Sequence, residues 1–248
     1  MDDDLLLRYS RQILLPEIDI EGQEKIINAR VLVVGVGGLG SPIAMYLAAA
    51  GVGTLHLVDH DTVELSNLQR QIIHATDDIG RAKVESARSR LSALNPNVSV
   101  EITDRQFKDE DFDEYLPRTD VVVDATDNFQ SRFHINRQCV KHSTSLVSGA
   151  AIRFEGQVSV FHPGQKESPC YRCLYTNESA VAETCSQTGV IAPLLGMIGS
   201  VQAMETLKVI TGTGTDLNGR LLLLDALSME WQTMRFKRNP RCPECADG

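Results

Sequence analysis

Short apolar runs recur along the first 150 residues and are separated by longer stretches of mixed polarity. The first two runs are Val31 to Val34 and Thr54 to Val58, and each is short and rich in β-branched residues. Such runs are typical of buried strands in a parallel sheet. The same pattern predicts further strands at Val98 to Ile102, Val121 to Val123 and Leu146-Val147.

Amphipathic stretches lie before and between these runs. Arg81 to Leu94 carries apolar side chains every three or four residues, Gln130 to His142 follows the fourth run, and Asp3 to Ala29 is interrupted at Pro16. This spacing predicts helices. Strands that alternate with helices predict an α/β fold with a Rossmann-like, doubly wound and mostly parallel sheet.

The pattern changes after Gly149. Gln157 to Phe161 and Leu221 to Leu224 predict strands, which we expect to continue the sheet in antiparallel orientation. Ile191 to Ile210 is apolar on most sides and predicts a buried helix. Its apolar faces fit either an ordinary core or a surface shared with a second subunit.

Glycines crowd the connection between the first two strands. Gly35, Gly37, Gly38 and Gly40 allow a tight turn and the close approach of a phosphate, and Asp59 ends the second strand, where a carboxylate accepts from a ribose hydroxyl. A glycine turn that only packs helix on strand is the alternative. The pattern favours a nucleotide-binding βαβ unit, and it leaves NAD, FAD and ATP open. We also expect the following helix to have its N-cap at Ser41 and to end at Gly51.

Charge and composition narrow the class of protein. The net charge of −9 argues against a nucleic-acid surface, which normally carries a basic excess. The acidic N-terminus does not resemble a signal peptide, and no apolar run approaches the length of a membrane span. Six cysteines without a secretory signal indicate a reducing compartment, so we expect a cytoplasmic protein with no membrane partner.

Two C-x-x-C pairs, Cys170/Cys173 and Cys242/Cys245, predict a zinc site. Four thiolates close a tetrahedral site without an open position, so the metal should be structural and should hold the C-terminal tail. One redox-active pair is the alternative. Cys185 is left over in a polar segment, where it is either a small buried side chain or a nucleophile.

Polar residues near the predicted strand ends argue against hydride transfer. Each of Arg11, Asn67, Arg70, Lys83 and Asp127 alone fits an ordinary surface position. A phosphate-transfer site, however, needs cations around a triphosphate and a carboxylate for Mg²⁺. Because the carboxyl ends of parallel strands share one edge, several of these residues should face one crevice.

Five short motifs follow one another in a fixed order along the chain. They are GVGGLG (Gly35 to Gly40), LSNLQRQ (Leu65 to Gln71), DATDN (Asp124 to Asn128), CYRC (Cys170 to Cys173) and CPEC (Cys242 to Cys245). Together they resemble the MoeB/ThiF/HesA family, relatives of the ubiquitin-activating enzymes, over nearly the whole chain.

The resemblance implies ATP-dependent adenylylation of the C-terminal glycine carboxylate of a ubiquitin-like sulfur carrier ending in Gly-Gly. Pyrophosphate leaves, and a separate donor such as a cysteine desulfurase or a rhodanese supplies sulfur to the activated carrier. The implied cofactors are ATP, Mg²⁺ and Zn²⁺. One domain is expected over 1–248, with a nucleotide-binding half at 1–148 and a carrier-binding, zinc-containing half at 149–248.

The resemblance also assigns roles to residues. It implies that the glycine turn and Asp59 bind the nucleotide, with Asp59 on the ribose. It implies that Asn67, Arg70 and Lys83 contact the phosphates and that Asp127 holds Mg²⁺. Arg11 would reach the nucleotide of a second subunit, which requires a homodimer. Cys185 stands where some members carry a cysteine that acts in sulfur transfer.

Two branches of the family compete. SGAAIRFEGQVSVF (Ser148 to Phe161) and KRNP (Lys237 to Pro240) resemble the members that activate the small subunit of molybdopterin synthase, whereas RYSRQILL (Arg8 to Leu15) resembles the thiamine-pathway members. The molybdopterin branch is favoured, and one chain serving both carriers stays open. A nicotinamide-dependent oxidoreductase and a non-catalytic nucleotide sensor are the hypotheses from other classes.

Overall fold

A computed structural model describes residues 1–176 and 188–246. The strands are β1 (Arg30–Val34), β2 (Thr54–Val58), β3 (Ser99–Thr103), β4 (Val121–Asp124), β5 (Ser145–Ile152), β6 (Glu155–Phe161), β7 (Arg220–Asp225) and β8 (Glu230–Arg235). The helices are α1 (Asp3–Arg8), α2 (Ser10–Ile13), α3 (Asp19–Asn28), α4 (Gly40–Ala50), α5 (Lys83–Leu94), α6 (Asp109–Tyr115), α7 (Phe129–His142), α8 (Tyr171–Leu174) and α9 (Ala192–Thr211). Short 3-10 turns occupy Leu65–Asn67, Thr76–Asp78 and Leu116–Arg118.

All eight strands form one sheet in the order β3-β2-β1-β4-β5-β6-β7-β8. Strands β1 to β5 are parallel, and β6, β7 and β8 continue the sheet in antiparallel pairs. The predicted mixed α/β sheet is therefore confirmed. Because the chain moves outward from β1 to β3 and then returns to β4 on the other side, the switch point lies between β1 and β4, where such sheets bind ligands.

Apolar side chains cover both faces of the sheet. In β1, Val31 and Val33 pack into one cluster together with side chains of α4, α5 and α9, while Leu32 packs into a second cluster with side chains of α6, α7 and α8. This alternation follows from the twofold period of a strand. Both faces of the parallel part are thus covered, as the apolar runs predict.

Two local predictions at α4 have different outcomes. The helix ends at Gly51, which has φ +90° as expected for a left-handed cap. The predicted N-cap at Ser41 is wrong, because α4 begins at Gly40 and its N-cap is Leu39. The Ser41 hydroxyl instead donates to the Gly37 carbonyl at 2.6 Å, inside the first turn. The Ser41 amide also donates to the Gly37 carbonyl at 2.9 Å, so helical hydrogen bonding already includes Ser41 and the helix starts before it.

The helical N-terminal region is broken at Tyr9 as well as near Pro16, so it forms the three short helices α1, α2 and α3. Within the described ranges, no helix has the length and apolar character needed to cross a membrane.

Candidate nucleotide and zinc sites

The turn between β1 and α4 forms one wall of a cavity at the switch point. Gly35 has φ +95°, and a Cβ there would lie 2.8 Å from the Ala125 carbonyl oxygen, so the turn needs glycine. Gly37 and Gly38 line the cavity. Gly40 does not, and a Cβ on it would lie 2.0 Å from the Gly35 oxygen. Gly40 instead allows α4 to pack closely against the turn.

Asp59 follows β2 at the edge of this turn. Its carboxylate accepts from the Val36 amide at 2.7 Å and from the Asp61 amide at 2.9 Å. Backbone donors therefore fix its orientation while it lines the cavity. A carboxylate held in this way at the end of the second strand is suited to bind a ribose hydroxyl.

Lys83 is the first residue of α5 and reaches the same cavity. Its side chain is buried, and its Nζ donates to Asp61 at 2.7 Å. Its backbone amide also donates to the Asp61 carbonyl at 3.0 Å, so one residue anchors both ends of Lys83. Burial opposes ionisation of Asp61, but the hydrogen bond and charge of Lys83 outweigh it and lower the pKa of that carboxyl.

Arg70 lines the cavity from the connection between β2 and α5. Its guanidinium donates to the Ser66 carbonyl at 3.0 Å, and it forms no ion pair with a described residue. Asn67 does not line the cavity. It is buried in the preceding 3-10 turn, where its side chain accepts from the Glu64 amide at 3.3 Å.

Asp127 lies three residues after β4 and is exposed at the cavity. The next residue, Asn128, caps α7 by accepting from the Ser131 amide at 2.9 Å and donates to Asp127 at 3.4 Å. A carboxylate that keeps free oxygen sites is a suitable ligand for Mg²⁺, which prefers oxygen and retains waters. Asp127 therefore fits the predicted metal role.

The cavity has a volume of about 240 Å³ and brings together most of the predicted nucleotide residues. They are Gly35, Gly37, Gly38, Asp59, Arg70, Lys83 and Asp127. These positions come from three separate strand ends, which the sheet order places side by side. The cavity thus combines a glycine turn, a fixed carboxylate, cations and a free carboxylate.

A buried histidine supports the glycine turn from behind. His74 approaches the Val36 carbonyl with Nε2 at 3.2 Å and the Ser86 hydroxyl with Nδ1 at 2.8 Å. Burial lowers the pKa of His74, so the neutral ring is favoured. In the tautomer that fits both partners, Nε2–H donates to the carbonyl and Nδ1 accepts from the hydroxyl.

A second cavity of about 390 Å³ extends from the first one across β5, β6, β7 and β8. The two cavities share three lining residues, Asp127, Arg132 and Ala151. Strand β8 is the edge of the sheet beside it, and all six of its residues are exposed. The first cavity therefore continues into a groove along the antiparallel half.

Arg11 lies away from the cavity of its own chain. It is exposed on α2, and the neighbouring Gln12 donates to the carbonyl of Ala50, at the C-terminal end of α4. Helix α4 begins at the glycine turn and has 11 residues, so its ends are about 16 Å apart. Arg11 does not line either cavity.

The four predicted zinc ligands meet at one point. Cys170 is the N-cap of α8 and Cys173 lies within this helix, and the Sγ atoms of all four cysteines lie within 4.8 Å of one another. The separations are 3.7 Å for Cys170–Cys242 and 3.4 Å for Cys173–Cys245. Tetrahedral zinc with Zn–S bonds of about 2.3 Å separates its sulfurs by about 3.8 Å, so the residues fit this ion.

Hydrogen bonds to the sulfurs support the fit. The Asn136 amide donates to Cys170 Sγ at 3.8 Å and accepts from the Tyr171 amide, and the backbone amide of Asn239 donates to Cys173 Sγ at 3.3 Å. Donors of this kind orient thiolate ligands. Cys185, the predicted sulfur-transfer residue, lies outside the described residues.

Two cavity cations are absent from the sequence predictions. Arg105 follows β3 and forms a two-bond pair with Asp111, at 2.5 and 2.6 Å. Arg132 lies on α7, four residues after its cap Asn128. That spacing could have pointed to Arg132, since it turns a helical side chain back toward the end of β4. Arg105 had no comparable signal.

Known proteins resemble this one over nearly the whole chain. The model of the ThiF family matches residues 9–244. The chain is 45% identical to the molybdopterin-synthase adenylyltransferase of Escherichia coli, over 99% of this chain and 98% of that protein. It is 44% identical to the SAMP-activating enzyme E1 of Haloferax volcanii, over 100% and 92%. It is 42% identical to the sulfur carrier protein ThiS adenylyltransferase of Escherichia coli, over 99% and 97%.

A solved structure supports the fold alone. Escherichia coli MccB, crystallised with MccA-N7isoASN, matches with a TM-score of 0.86 at 22% identity, over 98% of this chain and 75% of that chain. With a family match across nearly its entire length and relatives above 40% identity, this protein belongs to the ThiF family.

Proposed function

We propose that this protein is an ATP-dependent adenylyltransferase that activates the C-terminal glycine carboxylate of a ubiquitin-like sulfur carrier ending in Gly-Gly. The single observation that carries the proposal is the charge pattern of the cavity at the switch point. Arg70 and Lys83 supply cations and Asp127 a free carboxylate around the glycine turn. A dinucleotide brings only a pyrophosphate, whereas a triphosphate with Mg²⁺ needs this larger set.

The reaction needs charge neutralisation and alignment. One carboxylate oxygen of the carrier forms a bond to the α-phosphorus of ATP, the bond to the β-phosphate bridging oxygen breaks, and the electron pair leaves with pyrophosphate. The nucleophile is already ionised at neutral pH, so no general base is required. Mg²⁺, when bound at Asp127, would neutralise charge that develops on the leaving group.

The residues divide this work between them. Gly37 and Gly38 let the phosphates approach the backbone, and Asp59 accepts from the ribose. Arg70 and Lys83 bind phosphate oxygens, with Lys83 turning from Asp61 toward its ligand. Asn67 acts through the turn that presents Arg70, since its side chain bonds within that turn.

The second cavity fits the tail of a carrier protein. It is lined by residues of β5, β6, β7 and β8 and reaches Asp127, so an extended chain lying in it would bring its last residues to the nucleotide cavity. Among the described strands, β8 pairs only with β7, so its outer edge offers backbone groups for an added strand, with Trp231 and Met234 as apolar contacts. We infer that the carrier docks on this half of the molecule.

Among carriers, the small subunit of molybdopterin synthase is favoured over the thiamine-pathway carrier. The relatives named for these two roles are 45% and 42% identical, so identity alone separates them little. A relative from Zea mays is named an adenylyltransferase and sulfurtransferase, and this chain covers 52% of it. We propose a separate sulfur donor, such as a cysteine desulfurase or a rhodanese, with Cys185 as a sulfur-transfer nucleophile.

The position of Arg11 implies a homodimer. Arg11 lies at the far end of α4 from its own cavity, so a role on the nucleotide requires the cavity of a second subunit and hence a homodimer.

The four cysteines would hold structural zinc and fix the C-terminal tail to α8. Zinc thiolates are compatible with a reducing compartment, which favours the cytoplasm. We propose that residues 1–248 form one catalytic domain.

The test is carrier-dependent exchange of labelled pyrophosphate into ATP, followed by mass spectrometry of the carrier. We expect exchange and a carrier adenylate with a carrier ending in Gly-Gly, and neither when its last glycine is deleted. Tight NADH binding without ATP binding would instead favour an oxidoreductase. ATP binding without exchange for any Gly-Gly carrier offered would favour a nucleotide sensor.

A further inference from the structure

Arg132 is a buried cation that has no carboxylate within ion-pair distance among the described residues, although it interacts electrostatically with the buried carboxyl of Asp124. Its side chain lies on α7 with only 7% of the residue exposed. Nη2 donates to the Thr126 carbonyl at 2.8 Å. Nε is buried and has no hydrogen-bond partner, and the guanidinium makes no ion pair, among residues 1–176 and 188–246. Buried guanidinium groups normally have a carboxylate or phosphate partner, so an anionic ligand is expected here.

The position of this cation is as informative as its charge. Arg132 is one of three residues that line both cavities, the others being Asp127 and Ala151. It therefore stands where the nucleotide cavity opens into the groove along β5 to β8. The other cations of the nucleotide cavity line that cavity alone.

The neighbours of Arg132 hold its guanidinium in one orientation. The Thr126 carbonyl fixes one nitrogen, and the ring of Phe129 lies 5.5 Å from the guanidinium carbon. Burial raises the pKa of the Asp124 carboxyl, and the charge of Arg132 opposes this rise by favouring ionisation. The hydrogen bonds that this carboxylate accepts, however, come from Thr126 and Ser148. The planar fork of Arg132 is therefore preorganised, which reduces the entropy lost when a ligand binds.

The proposed reaction brings two anions together at this junction. A carboxylate from the groove must come within about 3 to 3.5 Å of the α-phosphorus of a triphosphate before it attacks. Coulomb repulsion between like charges at that distance is large where water is excluded. A fixed cation beside the carboxylate would offset it, and Arg70 and Lys83 are on the phosphate side.

We propose that Arg132 binds the C-terminal carboxylate of the carrier and holds it against the α-phosphate. The inference rests on the proposed adenylyltransferase function. In the reaction, one carboxylate oxygen bonds to phosphorus while the other accepts from Arg132, and the electron pair of the broken P–O bond leaves with pyrophosphate. No proton is transferred. Arg132 is then a catalytic residue in contact with the substrate.

The test compares two carriers on two proteins. Binding of the small subunit of molybdopterin synthase, ending in glycine or in glycinamide, is measured by calorimetry with Mg²⁺ and α,β-methylene-ATP present. The wild type should bind the glycinamide form about 10- to 100-fold more weakly, because a charge-assisted hydrogen bond is lost. Arg132→Gln should bind both forms equally, and as weakly as the wild type binds the glycinamide form.

A matched variant separates this role from packing. Arg105 also lines the nucleotide cavity, but Asp111 already pairs with it, so Arg105→Gln should keep the wild-type ratio between the two carriers. If Arg132 only supports Thr126, Arg132→Gln would lower the unfolding temperature and keep that ratio, and the inference would be wrong.

Measurements on the wild type distinguish failure of the Arg132 role from failure of the adenylyltransferase function. Carrier-dependent pyrophosphate exchange by the wild type, without discrimination between glycine and glycinamide, would overturn the role of Arg132 alone. Absence of both exchange and carrier binding in the wild type would overturn the adenylyltransferase assignment and the role of Arg132 together.

Discussion

Single side chains at the cavity differ in how firmly the protein holds them. Asp59 is fixed by two backbone amides and Lys83 by both its backbone and its Nζ contact with Asp61. Asp127 has one long hydrogen bond from Asn128 and is exposed. Asp59 and Lys83 therefore shape the nucleotide cavity, whereas Asp127 keeps carboxylate oxygens free for a cation.

Asp127→Asn should therefore lower kcat/KM for carrier-dependent exchange by about 100-fold or more, because a neutral amide binds Mg²⁺ poorly. The unfolding temperature should be unchanged, since the side chain is exposed. Exchange kinetics at varied Mg²⁺ and thermal unfolding measure both. Asp77→Asn, an exposed acid on another turn, is the control, and near-normal exchange by Asp127→Asn would remove Asp127 from the metal site.

His56 on β2 predicts a pH dependence of stability. Burial lowers its pKa to about 4, against the opposing charge of Glu101. The folded state therefore binds a proton less readily than the unfolded state, whose histidine titrates near 6.5. The contribution of His56 to the free energy of unfolding is fully present above pH 6.5, and it falls by about 3 kcal/mol as the pH drops from 6.5 to 4.

Urea unfolding of the wild type and His56→Gln at pH 7, 6 and 5 tests this. The variant should be less stable at pH 7 and should show a smaller loss of unfolding free energy on acidification. Exposed His60→Gln serves as the control with the wild-type slope. An identical slope in His56→Gln would assign the acid sensitivity to other groups.

At the scale of elements, the contact between α4 and α9 controls the glycine turn. Gly199 on α9 lies against the start of α4, where an added Cβ would come within 2.5 Å of Pro42 and 2.8 Å of the Leu39 carbonyl oxygen. Leu195, one turn earlier, packs against Gly38. The buried face of α9 thus sets the position of the turn that approaches the nucleotide.

Gly199→Ala should lower the unfolding free energy by about 1 to 3 kcal/mol, because backbone atoms must move to make room. It should also weaken ATP binding through the displaced turn. Gly196→Ala is a matched control on the same helix, since a methyl group added there would have no neighbouring atom within 4 Å. That change should stabilise by up to about 1 kcal/mol. Equal effects of the two substitutions on ATP binding would contradict this account.

At the scale of the molecule, the cysteine cluster joins distant parts of the chain. Cys242 and Cys245 come from the C-terminal tail, whereas Cys170 caps and Cys173 belongs to the short helix α8, which packs beside α7. Helix α7 also carries Arg132 and is capped by Asn128, next to Asp127. If zinc is bound at this cluster, its loss would therefore affect the tail first and α7 next.

Removing zinc should destabilise the protein. Cys173→Ser, or treatment of the wild type with a chelator, should release about one equivalent of zinc per chain and lower the unfolding temperature by several degrees, since metal binding is coupled to folding. Metal analysis and thermal unfolding measure the two effects. Cys139→Ser, which changes a buried cysteine outside the cluster, should retain the metal. A metal-free wild type of normal stability would refute the site.

Complementation tests the homodimer. Arg11→Ala and Asp127→Asn should each be inactive alone. If Arg11 completes the site of the second subunit, a mixed dimer contains one intact site. Equal mixing after subunit exchange should then restore roughly a quarter of wild-type activity, since half of the dimers are mixed and one of their two sites works. Mixtures without activity, in which mass spectrometry detects mixed dimers, would place Arg11 outside the second site.

The local features of the molecule could be predicted from the sequence because short-range physics controls them. Short apolar runs separated by amphipathic stretches predicted the parallel strands, glycines and Asp59 predicted the nucleotide turn, and the cysteine spacing predicted the cluster of four thiols. Two elements left no such signal. Helix α6 (Asp109–Tyr115) is largely acidic and buries chiefly Phe112, and the edge strand β8 (Glu230–Arg235) buries no residue, so neither shows a clear period.

Most contacts between distant residues follow from the packing of the whole fold. The predicted strand ends already indicated that Asp127 faces the same crevice as the glycine turn, whereas the packing of the elements brings Arg105 and Arg132 into the cavity and pairs Lys83 with Asp61. It also joins the nucleotide cavity to the groove at Arg132. These contacts join residues far apart in sequence, and their distances follow from strand pairing and helix packing rather than from any local pattern. The chemistry of each residue can be read from the sequence, but its partners are set by the fold.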